Sequence, residues 1–339
     1  MNDTNALIWT APDSEQTEAL SRVAEVLEDP EALDSRKLLY LRHEIHAENP
    51  ALSELGLAQL GELFVSEPPI GRLRRQIKEE VRTKGLFALR GVPAHSAAFT
   101  VGLSMAFGTP VTIGNGFLAR DYSPQPQGER WDLSHTELAI PLASASTLEE
   151  CPAEHLALAC DRRAGDAGGE LLILHVSRIL DRLRPATIET LSDPIFPFPD
   201  RGTIVHGQGP KVSLKSELRP VFTNGVRLRP ILSQRPDSEQ PTIRYRAEAI
   251  QAARSMEGTA PLTKEAEDAL KELDEVISQN PGTASHAPSP GDVLFLDNRI
   301  VLNGRTAISP GSDYRVWRIA ATENPELVAL DRQLATLSL

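Results

Sequence analysis

The change of texture near residue 111 is what most constrains how this chain can fold. Before it, apolar residues recur at three- and four-residue spacing through 15–30, 31–47 and 53–65. That spacing marks short amphipathic helices with one buried face. Pro68-Pro69 interrupts the pattern, and a helix rich in Arg and Lys is expected from about Ile70 to Lys84. GLFALRGVP reads as a strand running into a Gly/Pro turn, and 97–107 as a helix stopped by Gly108 and Pro110. After 111 the segments are short, β-rich and separated by turn residues. HLALACDR (155–162) and ELLILHV (170–176) are apolar runs of strand length, and RRAGDAGG between them reads as a hairpin-like connection. Ser177–Leu183 reads as a helix, and Pro185 sits in the first turn of another. Strand-like pieces follow at 202–206, 219–223 and 226–233, and in TIRYRAEAI. TKEAEDALKELDEVIS (263–278) is an amphipathic helix, and QNPGTASHAPSPG is a loop by composition. DVLFLDN and YRVWRIA close the pattern as strands joined by NGRTAISPGSD. No fixed-period repeat interrupts this order. The expected class is α+β, in one domain over 1–339: a mainly helical portion, 1–84, packed on a β-rich core, 85–320. A double-sheet jelly roll suits many short strands with helices outside.

Charge and cysteine content narrow the partners. The formal charge is −12 over 339 residues. That balance argues against nucleic acid or an anionic membrane as the main partner, because phosphate binding needs a basic footprint. The chain has 2 cysteines, Cys151 and Cys160, too few for a disulfide framework. No apolar run approaches the ~20 residues of a membrane span. The first residues, MNDTNALIWT, lack the basic start and apolar block of a secretory signal. A soluble cytoplasmic protein acting on a small molecule is the expectation.

Ser134-His135-Thr136-Glu137 carries the clearest chemistry. On extended backbone, side chains two apart point the same way, so His135 and Glu137 can occupy two positions on one face of a metal ion. His206, His175 and His155 are further imidazoles that a third position could use. A lone strand histidine is more often a hydrogen-bonded structural residue. His43 and His46 in RHEIH are three apart, not the four of a helical zinc pair, and read as a helix face. Arg227 with Arg229, and Arg244 with Arg246, share faces by their spacing. A solvated basic face is the first reading of them, an anion-binding face the second. Gly165, Gly168 and Gly169 lack the Lys-Ser of a phosphate loop, and neither cysteine sits in a nucleophile motif. Asn303-Gly304 is a natural turn dipeptide.

In order, these landmarks resemble the clavaminate synthase-like branch of the iron(II)/2-oxoglutarate-dependent oxygenases, which includes amino-acid hydroxylases of antibiotic pathways. The resemblance runs from about Gly85 to Ala320. FALRGVP is similar to the family's opening strand and turn, and SHTE to its His-x-Glu metal motif. HLALACDRRAGDAGGELLILHVSRIL is similar to the strand, loop, strand and helix that follow. PGDVLFLDNRIVLNGR resembles the strand that ends in a distal histidine, and YRVWRI the strand bearing the cosubstrate arginine.

The resemblance implies a distorted double-stranded β-helix and oxidation of an unactivated C–H bond of an amino acid or derivative. It implies Fe(II) held by two histidines and a carboxylate, with 2-oxoglutarate as cosubstrate. His135 and Glu137 take ligand roles on that basis, and Arg318 pairs with the far carboxylate of 2-oxoglutarate by two parallel bonds. Two positions depart from the pattern. Asn303 stands where the distal histidine is expected, and an amide oxygen is a poorer iron ligand than imidazole. Leu171, or Glu170 in a register one earlier, stands where the family often has a cosubstrate-binding threonine. Both changes weaken binding of iron and 2-oxoglutarate. They leave open a family member with a degraded site, either a non-oxidative enzyme or a binding protein. They also leave open an engineered replacement at 303.

Overall fold

The structure is a computed structural model that describes residues 7–28, 54–94, 96–111, 119–121, 124, 136–149, 152–163, 168–199, 225–234, 240–324 and 326. Its helices are α1 (Ser14–Glu28), α2 (Glu54–Val65), α3 (Pro68–Lys84), α4 (Ala97–Ser104), α5 (Val176–Leu180), α6 (Pro185–Leu191), α7 (Ala247–Arg254) and α8 (Lys264–Ser278). The strands are β1 (Trp9–Thr10), β2 (Leu86–Leu89), β3 (Thr109–Val111), β4 (Ala119–Asp121), β5 (Ile140–Ala143), β6 (His155–Arg162), β7 (Leu171–His175) and β8 (Phe196–Pro199). They continue with β9 (Val226–Arg229), β10 (Leu232–Ser233), β11 (Thr242–Ile243), β12 (Ala284–His286), β13 (Val293–Asp297), β14 (Val301–Arg305) and β15 (Arg315–Thr322).

The helices start where local chemistry closes their open N–H groups. Asp13 and Gln16 exchange a reciprocal pair of side-chain bonds at the head of α1, a capping box. Ser96 accepts from Phe99 N at α4, and Thr263 from Ala266 N at α8. Pro68 and Pro69 form the first turn of α3 rather than a break before it, since proline's missing N–H costs nothing there. The α3 helix ends at Gly85, whose φ of 77° supplies the left-handed cap.

Two sheets carry the fold. The larger has strand order β1-β2-β13-β6-β15-β3, with β4 also paired to β15; the smaller is β12-β7-β14-β5. Side-chain parity separates the faces of the large sheet. Phe87, Leu89, Ala157, Ala159, Phe295, Trp317 and Ile319 pack with Leu20, Val23, Leu60, Phe64, Leu73 and Ile77 of the N-terminal helices. Ala88, Leu156, Leu158, Leu294, Val316 and Ala320 point the other way and share a core with Leu171, Ile173 and Val301 of the small sheet.

Several sequence expectations are corrected. β6 and β7 lie in different sheets, so the segment between them is a crossover and not a hairpin. DVLFLDN and the residues after it are also not one strand. β13 ends at Asp297, and the chain turns and enters the other sheet as β14. The turn is fixed by Asn298, 2% exposed, which accepts from Ala145 N and donates to the carbonyls of Ala145 and Ala153. Asn303-Gly304 is no turn but the interior of β14, where extended pairing on both sides overrides the dipeptide's preference. TIRYRAEAI is strand only at Thr242–Ile243 and then helix α7, and the expected loop after α8 contains β12. The expected elements at 31–47, 202–206 and 219–223 lie outside the described residues. No described helix is long and apolar enough to cross a membrane.

Candidate metal and cosubstrate site

The small sheet positions the candidate site. Asn303 on β14 lies between Ala143 of β5 and Ile173 of β7, and its Nδ2 donates to the Ala143 carbonyl at 3.4 Å. It shares a face with Val301 and Arg305 by parity. On that face Ile173 and His175 border a cavity with Leu86 and Ala88 of the large sheet. Asn303 therefore faces into the space between the sheets.

The segment carrying Glu137 is tied to the same strand. Arg305 is 2% exposed, and its Nη2 donates to the carbonyls of Thr136 at 2.7 Å and Leu138 at 2.9 Å. Ile308 N donates to the Glu137 carbonyl at 2.8 Å. Two backbone oxygens on one guanidinium fix the 136–138 segment more firmly than a neutral bond would, because charge-assisted bonds are the stronger kind. The Arg305 guanidinium also sits over the Tyr314 ring, 5.6 Å from its centroid. Sequence reasoning missed Arg305. Its signal was an arginine two residues past Asn303, on the same inward parity, where a solvated arginine has no business.

Arg318 is 5% exposed and shares the inward parity of Val316 and Ala320, opposite Leu158 of β6. By that parity it faces the small sheet. Leu171 is buried opposite Arg305 and offers packing alone. Glu170 beside it is bound by Thr306, which holds its carboxyl below the usual range. His135 lies outside the described residues.

The other candidates separate clearly. His175 caps α5, its Nδ1 bonded to Ser177, and burial pushes its imidazole below the usual range. His155 lies on the helix side of the large sheet, where it joins Glu154 and Glu323 as a group able to hold a metal ion. This is not the expected triad. Arg227 and Arg229 keep their spacing on β9, but Arg244 and Arg246 do not share a strand face: Arg244 donates to the carbonyls of Thr147 and Glu149, and Arg246 stands at the head of α7. Cys160 is a buried free thiol whose pKa burial pushes up to about 12, so it is no nucleophile at neutral pH. His43, His46, Cys151 and His206 lie outside the described residues.

These positions fit a cation and a dicarboxylate in different degrees. A cation would need donors of the kinds Glu137 and Asn303 carry, a carboxylate and an amide oxygen, and a dicarboxylate a guanidinium such as that of buried Arg318. Residues 57–320 match the family model "Taurine catabolism dioxygenase TauD, TfdA family".

The chain belongs to the TauD/TfdA dioxygenase family.

Solved structures share this fold. An asparagine oxygenase in complex with Fe(II), hydroxyasparagine and succinate is 19% identical with TM-score 0.68, and 93% of each chain is covered. The non-heme iron oxygenase OrfP, in complex with Fe and alpha-ketoglutaric acid, is 17% identical with TM-score 0.65, and 94% of each chain is covered. At these identities the likeness is one of fold. No protein of curated function matches the sequence at a significant level.

Proposed function

We propose that this TauD/TfdA-family chain is an iron(II)/2-oxoglutarate-dependent oxygenase that hydroxylates, or desaturates, an amino acid or derivative in specialised metabolism. The observation that carries the reading is the tie from Arg305 to Thr136 and Leu138, which sets the His-x-Glu segment against the strand of Asn303. His135 and Glu137 would hold iron, with Asn303 Oδ1 or solvent in the third protein position. When bound, the iron and cosubstrate supply the oxidising power for a C–H bond. The chain's own residues do the positioning. Arg318 meets the far carboxylate of 2-oxoglutarate in a buried setting, where water competes little for the guanidinium. Leu171 and Ile173 present apolar surface between the sheets and keep bulk water from the reacting groups.

The proposal includes a single domain whose two sheets close as a distorted double-stranded β-helix. It also includes a cytoplasmic location, which a buried free Cys160 supports. The amino-acid class is supported by the asparagine oxygenase and by OrfP structures that hold arginine.

One observation favours a second reading. The Asn303 amide is engaged with its own cross-strand neighbour, which suits a family member that has left oxygen chemistry. Succinate release from 2-oxoglutarate under air, measured with Fe(II) and a panel of amino acids, decides between them. The first reading expects turnover in the parent chain. Turnover that appears only in Asn303→His assigns the parent to the second, and none in either variant overturns the oxygenase reading.

A further inference from the structure

On the helix side of the large sheet, the start of β6 meets the end of β15, with His155 paired to Ala321. Glu154, His155 and Glu323 each bring a ligand atom there, all within 4.8 Å of one another. His155 is 5% exposed and stacked on Phe107, ring centroids 4.9 Å apart. Among the described residues, neither of its ring nitrogens has a hydrogen-bond partner. Leaving a buried polar group unsatisfied is costly, so a native structure rarely keeps one without something to fill the gap. Burial pushes the imidazole pKa down, which keeps it neutral with a lone pair to give.

The carboxylates are held from behind. Glu154 Oε1 accepts from Arg299 at 3.1 Å and Asn324 at 3.3 Å, and its Oε2 from Thr322 at 3.2 Å and Glu323 N at 2.8 Å. Glu323 Oε1 pairs with Lys78 Nζ at 2.9 Å. Such outer partners orient ligands; the four bonds fill the acceptor sites of Glu154, so an ion there takes the place of the long bond from exposed Asn324.

We propose that Glu154, His155 and Glu323 form a second metal site, which takes a divalent first-row transition ion of zinc type. Three carboxylates, Glu154, Glu323 and Asp297, outnumber the two cations paired with them, Arg299 and Lys78, which leaves net negative charge for a cation; the imidazole selects zinc-like ions over magnesium or calcium, which take oxygen alone. Zinc with bonds of about 2.0–2.2 Å draws its ligands closer than they lie here. Glu323 has the freedom to swing in, since its side chain is 42% exposed. The site lies across the large sheet from Arg318 and does not depend on the oxygenase reading. A bound ion pins the end of β15 to the start of β6.

The test is a calorimetric titration of zinc into the full-length Glu137→Gln protein, stripped of metal, with Tm read beside it. This background removes the carboxylate of the other candidate position. One zinc ion and a raised Tm are expected. Adding Glu323→Gln or His155→Gln weakens zinc binding at least tenfold. Glu323→Gln alters a half-exposed side chain and tests the site even if His155→Gln fails to fold. No zinc binding in the Glu137→Gln protein, or binding that Glu323→Gln leaves unchanged, overturns the proposal.

Discussion

Arg305 and Asn303 sit two residues apart on one face of β14 and answer different demands. Arg305 spends its charge on the Thr136 and Leu138 carbonyls. Replacing it with methionine keeps much of the bulk but strands those oxygens. Arg305→Met should cost about 3 kcal/mol in urea unfolding, and should also weaken iron binding, because the Glu137 segment loses its anchor. Asn303→His restores an imidazole donor, so Fe(II) affinity measured by calorimetry should rise at least tenfold; an unchanged value would show that position 303 does not face the metal. The proposal for His135 and Glu137 rests on local spacing, which a sequence displays directly. Arg305 was less legible. Its parity with Asn303 was the one local sign; which carbonyls meet the guanidinium depends on the fold, and no local pattern records that.

Among the elements, the helices were the most readable, since their apolar spacing is local. α1 buries Ala19, Leu20, Val23 and Leu27, and α8 buries Ala266, Ala269, Leu270, Leu273 and Ile277, as the periodicity implies. Glu272 of α8 reaches the head of α6, where it accepts from Arg184 N, the Arg184 guanidinium and Thr187. The Arg184 bond holds its carboxyl at about 2. A depressed folded-state pKa stabilises the protein above the ordinary value and loses that contribution as pH falls through the folded one. Glu272→Gln should therefore lower the urea midpoint at pH 7, and the gap to the parent should narrow between pH 4 and 3. At Gly102 of α4 an added Cβ would collide with Phe64 Cε2, whose ring is tilted against that of Phe99. Gly102→Ala should lower stability, because overpacking of about 1–3 kcal/mol outweighs roughly 1 kcal/mol of helix propensity. Thermal unfolding reads the sign. Connections were less legible than helices. The turn at Asn298 and the crossover after β6 depend on which sheet the next strand joins, and strand length alone does not say.

At the scale of the whole molecule, the large sheet divides the chemistry. One face packs on the N-terminal helices and carries the Glu154, His155 and Glu323 group; the other looks toward the small sheet and carries Arg318. The sequence's shift from helical to β-rich texture anticipated the layers. It did not tell the two faces apart, because that assignment rests on strand register. Anomalous diffraction at the iron edge, from crystals grown with Fe(II) and 2-oxoglutarate without oxygen, tests the oxygenase account most directly. The account predicts a peak beside the Glu137 carboxylate, between residues 135 and 303, with cosubstrate density reaching Arg318. An iron peak found only at Glu154, His155 and Glu323, or no peak between the sheets, would contradict it.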